Sequence, residues 1–89
     1  MALNDEVDKS EYKKLSQQEV DEILDSHELF LKGTRGGERA KFGMMDLSYL
    51  DFSGRDLSRA DMVGTILANC ELENTKLAEA NLFACDLRH

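Results

Sequence analysis

Apolar residues along this chain follow two different rhythms, and the change from one to the other falls near Gly33. Between residues 16 and 32, Val20, Ile23, Leu24, His27, Phe30 and Leu31 recur at spacings of three and four. That spacing gathers them on one face of a helix and leaves the opposite face charged. Both ends are marked. Ser16 and Glu19 make a Ser-x-x-Glu capping box, with Leu15 and Val20 at the two positions of a hydrophobic staple. Lys32 stands in the last turn, where it complements the helix dipole, and Gly33 can take the left-handed conformation that stops a helix. Residues 15–33 are therefore expected to form an amphipathic helical segment, and 34–39, continuing the Gly-rich stretch 33–37, a connector. Residues 1–14 show no sustained period and are expected as a flexible or weakly helical tail.

The second rhythm has a period of five. Taking every fifth residue from position 42 gives Phe42, Leu47, Phe52, Leu57, Met62, Leu67, Leu72, Leu77, Leu82 and Leu87, large apolar side chains at every place. Two residues before these stand Ala40, Met45, Leu50, Arg55, Ala60, Thr65, Cys70, Thr75, Ala80 and Cys85, mostly small or apolar. The other three columns are largely polar, with Asp46, Asp51, Asp56, Asp61, Asn81 and Asp86 immediately before the central residue. Five matches neither the 3.6 of a helix nor the 2 of a strand, which leaves the internal repetition of a solenoid.

Units such as Ala60-Asp61-Met62-Val63-Gly64 and Ala80-Asn81-Leu82-Phe83-Ala84 resemble the Ala-(Asp/Asn)-Leu-x-x unit of the pentapeptide-repeat family, over residues 40–89. The capped helix and the Gly-Thr-Arg-Gly-Gly-Glu-Arg-Ala that follows also resemble the lead-in of some bacterial members. In that family four pentapeptides make one square coil of a right-handed β-helix, with the central residue and the one two before it pointing inward. The resemblance thus implies a mainly β fold: a short right-handed quadrilateral β-helix of about two and a half coils with an N-terminal capping α-helix. At roughly 4.8 Å per layer it would stand only about 12 Å tall.

If four repeats make a coil, residues twenty apart stack, and the sequence becomes legible as a surface. Terminal layers of a solenoid need covering, so Val20, Ile23, Leu24 and Phe30 are expected to lie over Phe42, Leu47 and Phe52. No such element follows Leu77, Leu82 and Leu87, which implies either a homodimer through the uncapped C-terminal coil or an array that continues in a longer protein. Val63 and Phe83 share an outward column above Gly43, with Ile66 on the adjoining face. These three are either covered by the helix or tail, or form a partner surface. Arg59 with Glu79 and Asp56 with Lys76 are expected as ion pairs between coils. Arg55, at an inward position, must reach solvent or find a carboxylate. Cys70 and Cys85 are expected as free buried thiols, and His27 as a packed or capping residue.

Composition narrows the function. The 89 residues carry 11 basic and 18 acidic side chains, a net charge of -7, which disfavours direct nucleic-acid binding and anionic membranes. No apolar run approaches the roughly 18 residues of a membrane span, and the first twenty residues are too polar for a signal peptide, so a cytoplasmic location is expected. Neither the two cysteines nor the histidines are spaced as metal ligands, and no cofactor motif is present. Asp46, Asp51, Asp56 and Asp61 would face four directions rather than converge on a substrate. The expectation is a non-enzymatic protein-interaction or scaffold module whose protein partner the sequence does not identify. The alternative is that of the quinolone-resistance members of the family, which resemble duplex DNA and bind DNA gyrase. Duplex DNA would carry about seven charges over about 12 Å. Residues 33–89 hold nine acidic and seven basic side chains, so the negative charge is concentrated off the coil and the mimic is disfavoured.

Overall fold

The computed structural model of the chain describes residues 11–88. Their order is a short strand β1 (Lys13–Lys14), a helix α1 (Gln17–Leu31) and a short strand β2 (Met45–Asp46), followed by a regular succession of single-residue bridges.

α1 forms where its signals place it. Ser16 is the N-cap: its side chain accepts from the Glu19 N–H at 3.1 Å, while the Ser16 N–H donates to Glu19 Oε1 at 2.8 Å. At the other end Lys32 is the C-cap itself, one residue beyond the last turn, so no basic side chain sits within that turn. Gly33 has φ of 74°, and the N–H groups of Gly33 and Thr34 return to the carbonyls of Phe30 and Leu29. This is the paired closure of a Schellman motif, which consumes two orphan carbonyls.

From residue 41 onward each repeat contributes one residue to a parallel ladder. Lys41 bridges Asp61, Asp46 bridges Ile66, Asp51 bridges Glu71, Asp56 bridges Lys76, Asp61 bridges Asn81, and Ile66 bridges Asp86. Every partner is twenty residues away, so four repeats make one circuit with four sides. Among the described residues no strand is longer than two residues, for a simple reason: the chain turns every five residues. In each of nine successive turns the carbonyl of the central residue accepts from the N–H three residues on, at 3.0–3.4 Å, from Phe42 with Met45 to Leu82 with Cys85. The third residue of each turn has φ of 60–72°, the arrangement of a type II turn. Only Gly54 and Gly64 among these nine are glycine.

The polar column has a structural role. Asp46, Asp51, Asp56, Asp61, Asn81 and Asp86 each accept, through the side-chain oxygen, the N–H of the residue two places on, which fixes the entry to the turn. Inside, Phe42, Leu47, Phe52, Leu57, Met62 and Leu67 are buried, while Leu72, Leu77 and Leu82 are half-buried and Leu87 is exposed. The decline toward the C-terminal side arises because, among the described residues, no layer lies above these leucines. Val20 and Leu24 of α1 belong to the same apolar cluster, with Leu15 and Ile23 packed against it. Phe30 does not join them: it stacks on His27, with the Arg59 guanidinium 5.1 Å above its ring.

The tail expected over 1–14 needs correction at its inner end, since β1 pairs in parallel with β2, Lys13 with Met45 and Lys14 with Asp46. Two residues carry no legible period, and the signal for this strand is the free edge of β2 rather than anything local. Residues 1–10 of that expectation lie outside the described residues. Among the described residues no helix is long and apolar enough to cross a membrane.

Candidate interaction surface

With the interior filled by side chains, chemistry or recognition must come from the outer faces, the corners or the two rims. The inward polar groups are all consumed. Thr65 Oγ1 donates to the Phe42 carbonyl, Cys70 Sγ to Leu47, Thr75 Oγ1 to Phe52 and Cys85 Sγ to Met62, each across 23 residues and at 2.7–2.9 Å. A small donor in the inward column therefore ties each layer to the carbonyl of the turn beneath it. Burial pushes both thiols above the usual cysteine range, and both are free, Cys70 buried and Cys85 half-buried. Among the described residues no group of three or more histidine, cysteine or acidic side chains is placed to hold a metal ion.

At the lower rim, on the α1 side, side chains hydrogen-bond to backbone groups of the repeats. The Gln17 carboxamide exchanges two hydrogen bonds with Asp51, accepting from its N–H and donating to its carbonyl, both at 2.8 Å. His27 is fully buried. Its Nδ1 accepts from the Ala40 N–H at 2.9 Å, so Nε2 carries the proton and donates to the Ser58 carbonyl at 2.8 Å. β1 occupies the third side. These are the groups a further coil would otherwise engage.

Arg55 is the residue that joins the two halves. It leaves the inward column toward α1, where Nε donates to Glu28 at 3.0 Å and a terminal nitrogen to Asp25 at 2.8 Å, with Asp21 3.8 Å away. Asp21, Asp25 and Glu28 are spaced four and three apart, hence on one face of the helix. Burial weakens the guanidinium's hold on its proton, but the hydrogen bonds to Glu28 and Asp25 outweigh it and raise the pKa. The carboxylate that the sequence required is thus a set of three. The ion pairs expected between coils do not form. Arg59 lies over Phe30 rather than beside Glu79, and Asp56 is held by the Ser58 N–H, with Lys76 acting only through its field. At a corner with φ of 66° the Arg59 side chain is directed down the tube, toward the helix, instead of up the column.

The expected partner surface of Val63, Ile66 and Phe83 divides. Ile66 is only 7% exposed, because it is the middle layer of a column with Asp46 below and Asp86 above. It is not part of an open patch. Val63 is half-buried and Phe83 is 75% exposed. Beside their column, in the adjoining one of Gly64 and Ala84, stands Met44, 53% exposed, whose N–H donates to the Val63 carbonyl as Gly64 donates to that of Phe83. The Met44 side chain crosses Gly64, where a Cβ would lie 2.5 Å from its Sδ, and the Tyr12 hydroxyl reaches the same sulfur at 3.9 Å. Tyr49, 77% exposed, stands at the next corner. Met44 and Tyr49 escaped the sequence reading because they occupy the left-handed position of the turn, a place where the backbone conformation, not side-chain polarity, dictates the outward direction. A cleft between α1 and the connector, lined by Ile23, Phe30, Gly37, Glu38, Arg39 and Lys41, is open to solvent.

The upper rim is unoccupied among the described residues. The N–H groups of Leu72, Asn74, Leu77, Glu79, Leu82 and Ala84 have no backbone partner, whereas their equivalents one layer down all donate upward. This row of free donors borders the half-buried leucines of the last layer.

Residues 46–82 match the family described as pentapeptide repeats, in eight copies. No curated protein and no solved structure matches the chain.

Proposed function

From the premise that residues 46–82 are pentapeptide repeats, we propose that this chain is a non-enzymatic protein-interaction module, a short right-handed four-sided β-helix of about two and a half coils whose first coil is capped by α1. What carries the reading is how its polar side chains are used. The aspartates fix turns, the threonines and cysteines tie layers, and His27 and Gln17 close a rim. Side chains already committed to the fold are not free to act on a substrate, whereas exposed apolar residues on a rigid corner are available to a protein partner. The contact surface is the strip of Met44, Val63 and Phe83, and self-association runs through the upper rim. Exposed backbone donors beside apolar centres are what an edge offers to another chain.

The test is affinity capture from host lysate with the chain and with a Met44→Glu, Phe83→Glu variant that melts at the same temperature. A protein retained stoichiometrically by the first and lost by the second supports the surface. Equal retention by both, or turnover of a small molecule by the purified chain, overturns the reading.

A further inference from the structure

The two rims of this tube are complementary because they are successive layers of one lattice. Upward, each side presents the carbonyl of the residue two before the centre together with the N–H of the central residue and of the residue two beyond it, as at Cys70, Leu72 and Asn74. Downward, each side presents the N–H and carbonyl of the residue before the centre and the carbonyl of the residue after it. Asp51 and Ser58 supply such groups, and α1 occupies them through Gln17 and His27. Resting on the reading of the upper rim as a self-association edge, we propose that the lower rim is a second docking face, for the upper rim of another copy, and that β1 and α1, consecutive in the chain, are together the latch keeping it shut. The occupant is a second copy because the side chains of α1 and the strand β1 reproduce the hydrogen bonds that a preceding coil of the same chain would make.

The latch is electrostatic at its outer side. Arg55, projecting from the first coil, is gripped by Asp25 and Glu28 with Asp21 nearby. With α1 lifted, Phe42, Leu47, Phe52 and Leu57 lose their cover on the side where Val20 and Leu24 now lie. Upper rim on lower rim is a head-to-tail contact, and a head-to-tail contact with no closing rotation generates an open filament rather than a dimer. With α1 seated, only upper-rim contacts remain, and growth stops at two copies.

Arg55→Glu in the full chain sets a fourth carboxylate among the three on α1. The expected result is loss of hydrogen-exchange protection in α1, together with loss of a discrete species in light scattering. Mass then climbs with concentration, and rods appear in electron micrographs. Asp25→Arg and Glu28→Arg added to Arg55→Glu rebuild the pair with reversed sign and return the chain to its discrete form. Leu82→Lys added to Arg55→Glu blocks the upper rim and abolishes the rods while α1 stays free. If Arg55→Glu loses its circular dichroism altogether, Arg55→Gln takes its place. An α1 that remains protected in the Arg55 variants overturns the latch, and a released α1 without filaments overturns the second docking face. A native chain that is monomeric at all concentrations, beside a variant that forms rods, removes the homodimer reading alone.

Discussion

Nine residues in succession hold a left-handed backbone at the third place of a turn, yet seven of them are not glycine. Each of the seven opposes a steric preference of about 1–2 kcal/mol, relieved in part because a larger side chain has less backbone freedom to lose on folding. Gly54 reads the balance of these two effects without any collision, since a Cβ there meets nothing within 4 Å. Gly54→Ala is expected to lower stability by about 1 kcal/mol in urea denaturation, with a β-branched replacement worse. The aspartate column sets an acid limit. The backbone N–H of Ser53 holds the Asp51 carboxyl below the usual range, and the hydrogen bond with Ser58 does the same for Asp56. A carboxyl depressed in the folded state adds stability that is fully present above its unfolded value of about 3.9 and is lost as pH falls through the lower folded value. Melting temperature should therefore hold near neutrality and drop below about pH 4. Asp56→Asn keeps the turn acceptor, as Asn81 does naturally, but not the charge, so it should lower the melting temperature modestly at pH 7 and flatten the acid limb. An unchanged limb would count against the column as its source.

At the scale of the element, α1 and the connector are held by contacts with no tolerance. A Cβ on Gly37 would lie 2.2 Å from the Phe30 nitrogen, whereas one on Gly36 meets nothing within 4 Å. Gly37→Ala should lose about 2 kcal/mol or more and unseat the connector, and Gly36→Ala, with φ of 91°, about 1 kcal/mol. Thermal melts of the pair separate steric collision from backbone strain. His27→Phe keeps the bulk of a buried ring but strands the Ala40 N–H and the Ser58 carbonyl, for an expected loss of about 2 kcal/mol or more. The capping box of Ser16 and Glu19, the Gly33 stop and the inward run from Phe42 to Leu67 were legible because each follows from local chemistry or a strict period. Gln17, the Arg55 cluster and β1 were not. Their partners lie 34, 27 and 32 residues away across a junction between two periodicities, and neither rhythm constrains how the other docks on it. The Arg55 anomaly, an inward charge, was the one visible trace of that junction.

At the scale of the whole molecule, protection should be layered rather than uniform. In the layer that begins at Leu72, alternate amides differ in kind. Lys76, Asn81 and Asp86 donate downward to Arg55, Ala60 and Thr65, whereas Leu77 and Leu82 face the upper rim without a partner. Residues within one five-residue unit, equally far along the chain and in the same turn, should thus exchange at different rates. Lys76 and Asn81 should be slow, with Leu77 and Leu82 close to the unfolded rate in dilute solution. Fraying of the last layer as a unit would instead equalise them, because opening that layer breaks the downward bonds as well. Concentration supplies the second axis. If two copies meet at the upper rim, Leu77 and Leu82 become protected as the chain is concentrated, with Lys76 and Asn81 already slow and little changed. Protection that rises equally at all four amides would mean that association stabilises the coil without covering its edge. Residue-resolved hydrogen exchange at low and high protein concentration therefore reads, on four amides, both the order of the last layer and the place where a second copy binds.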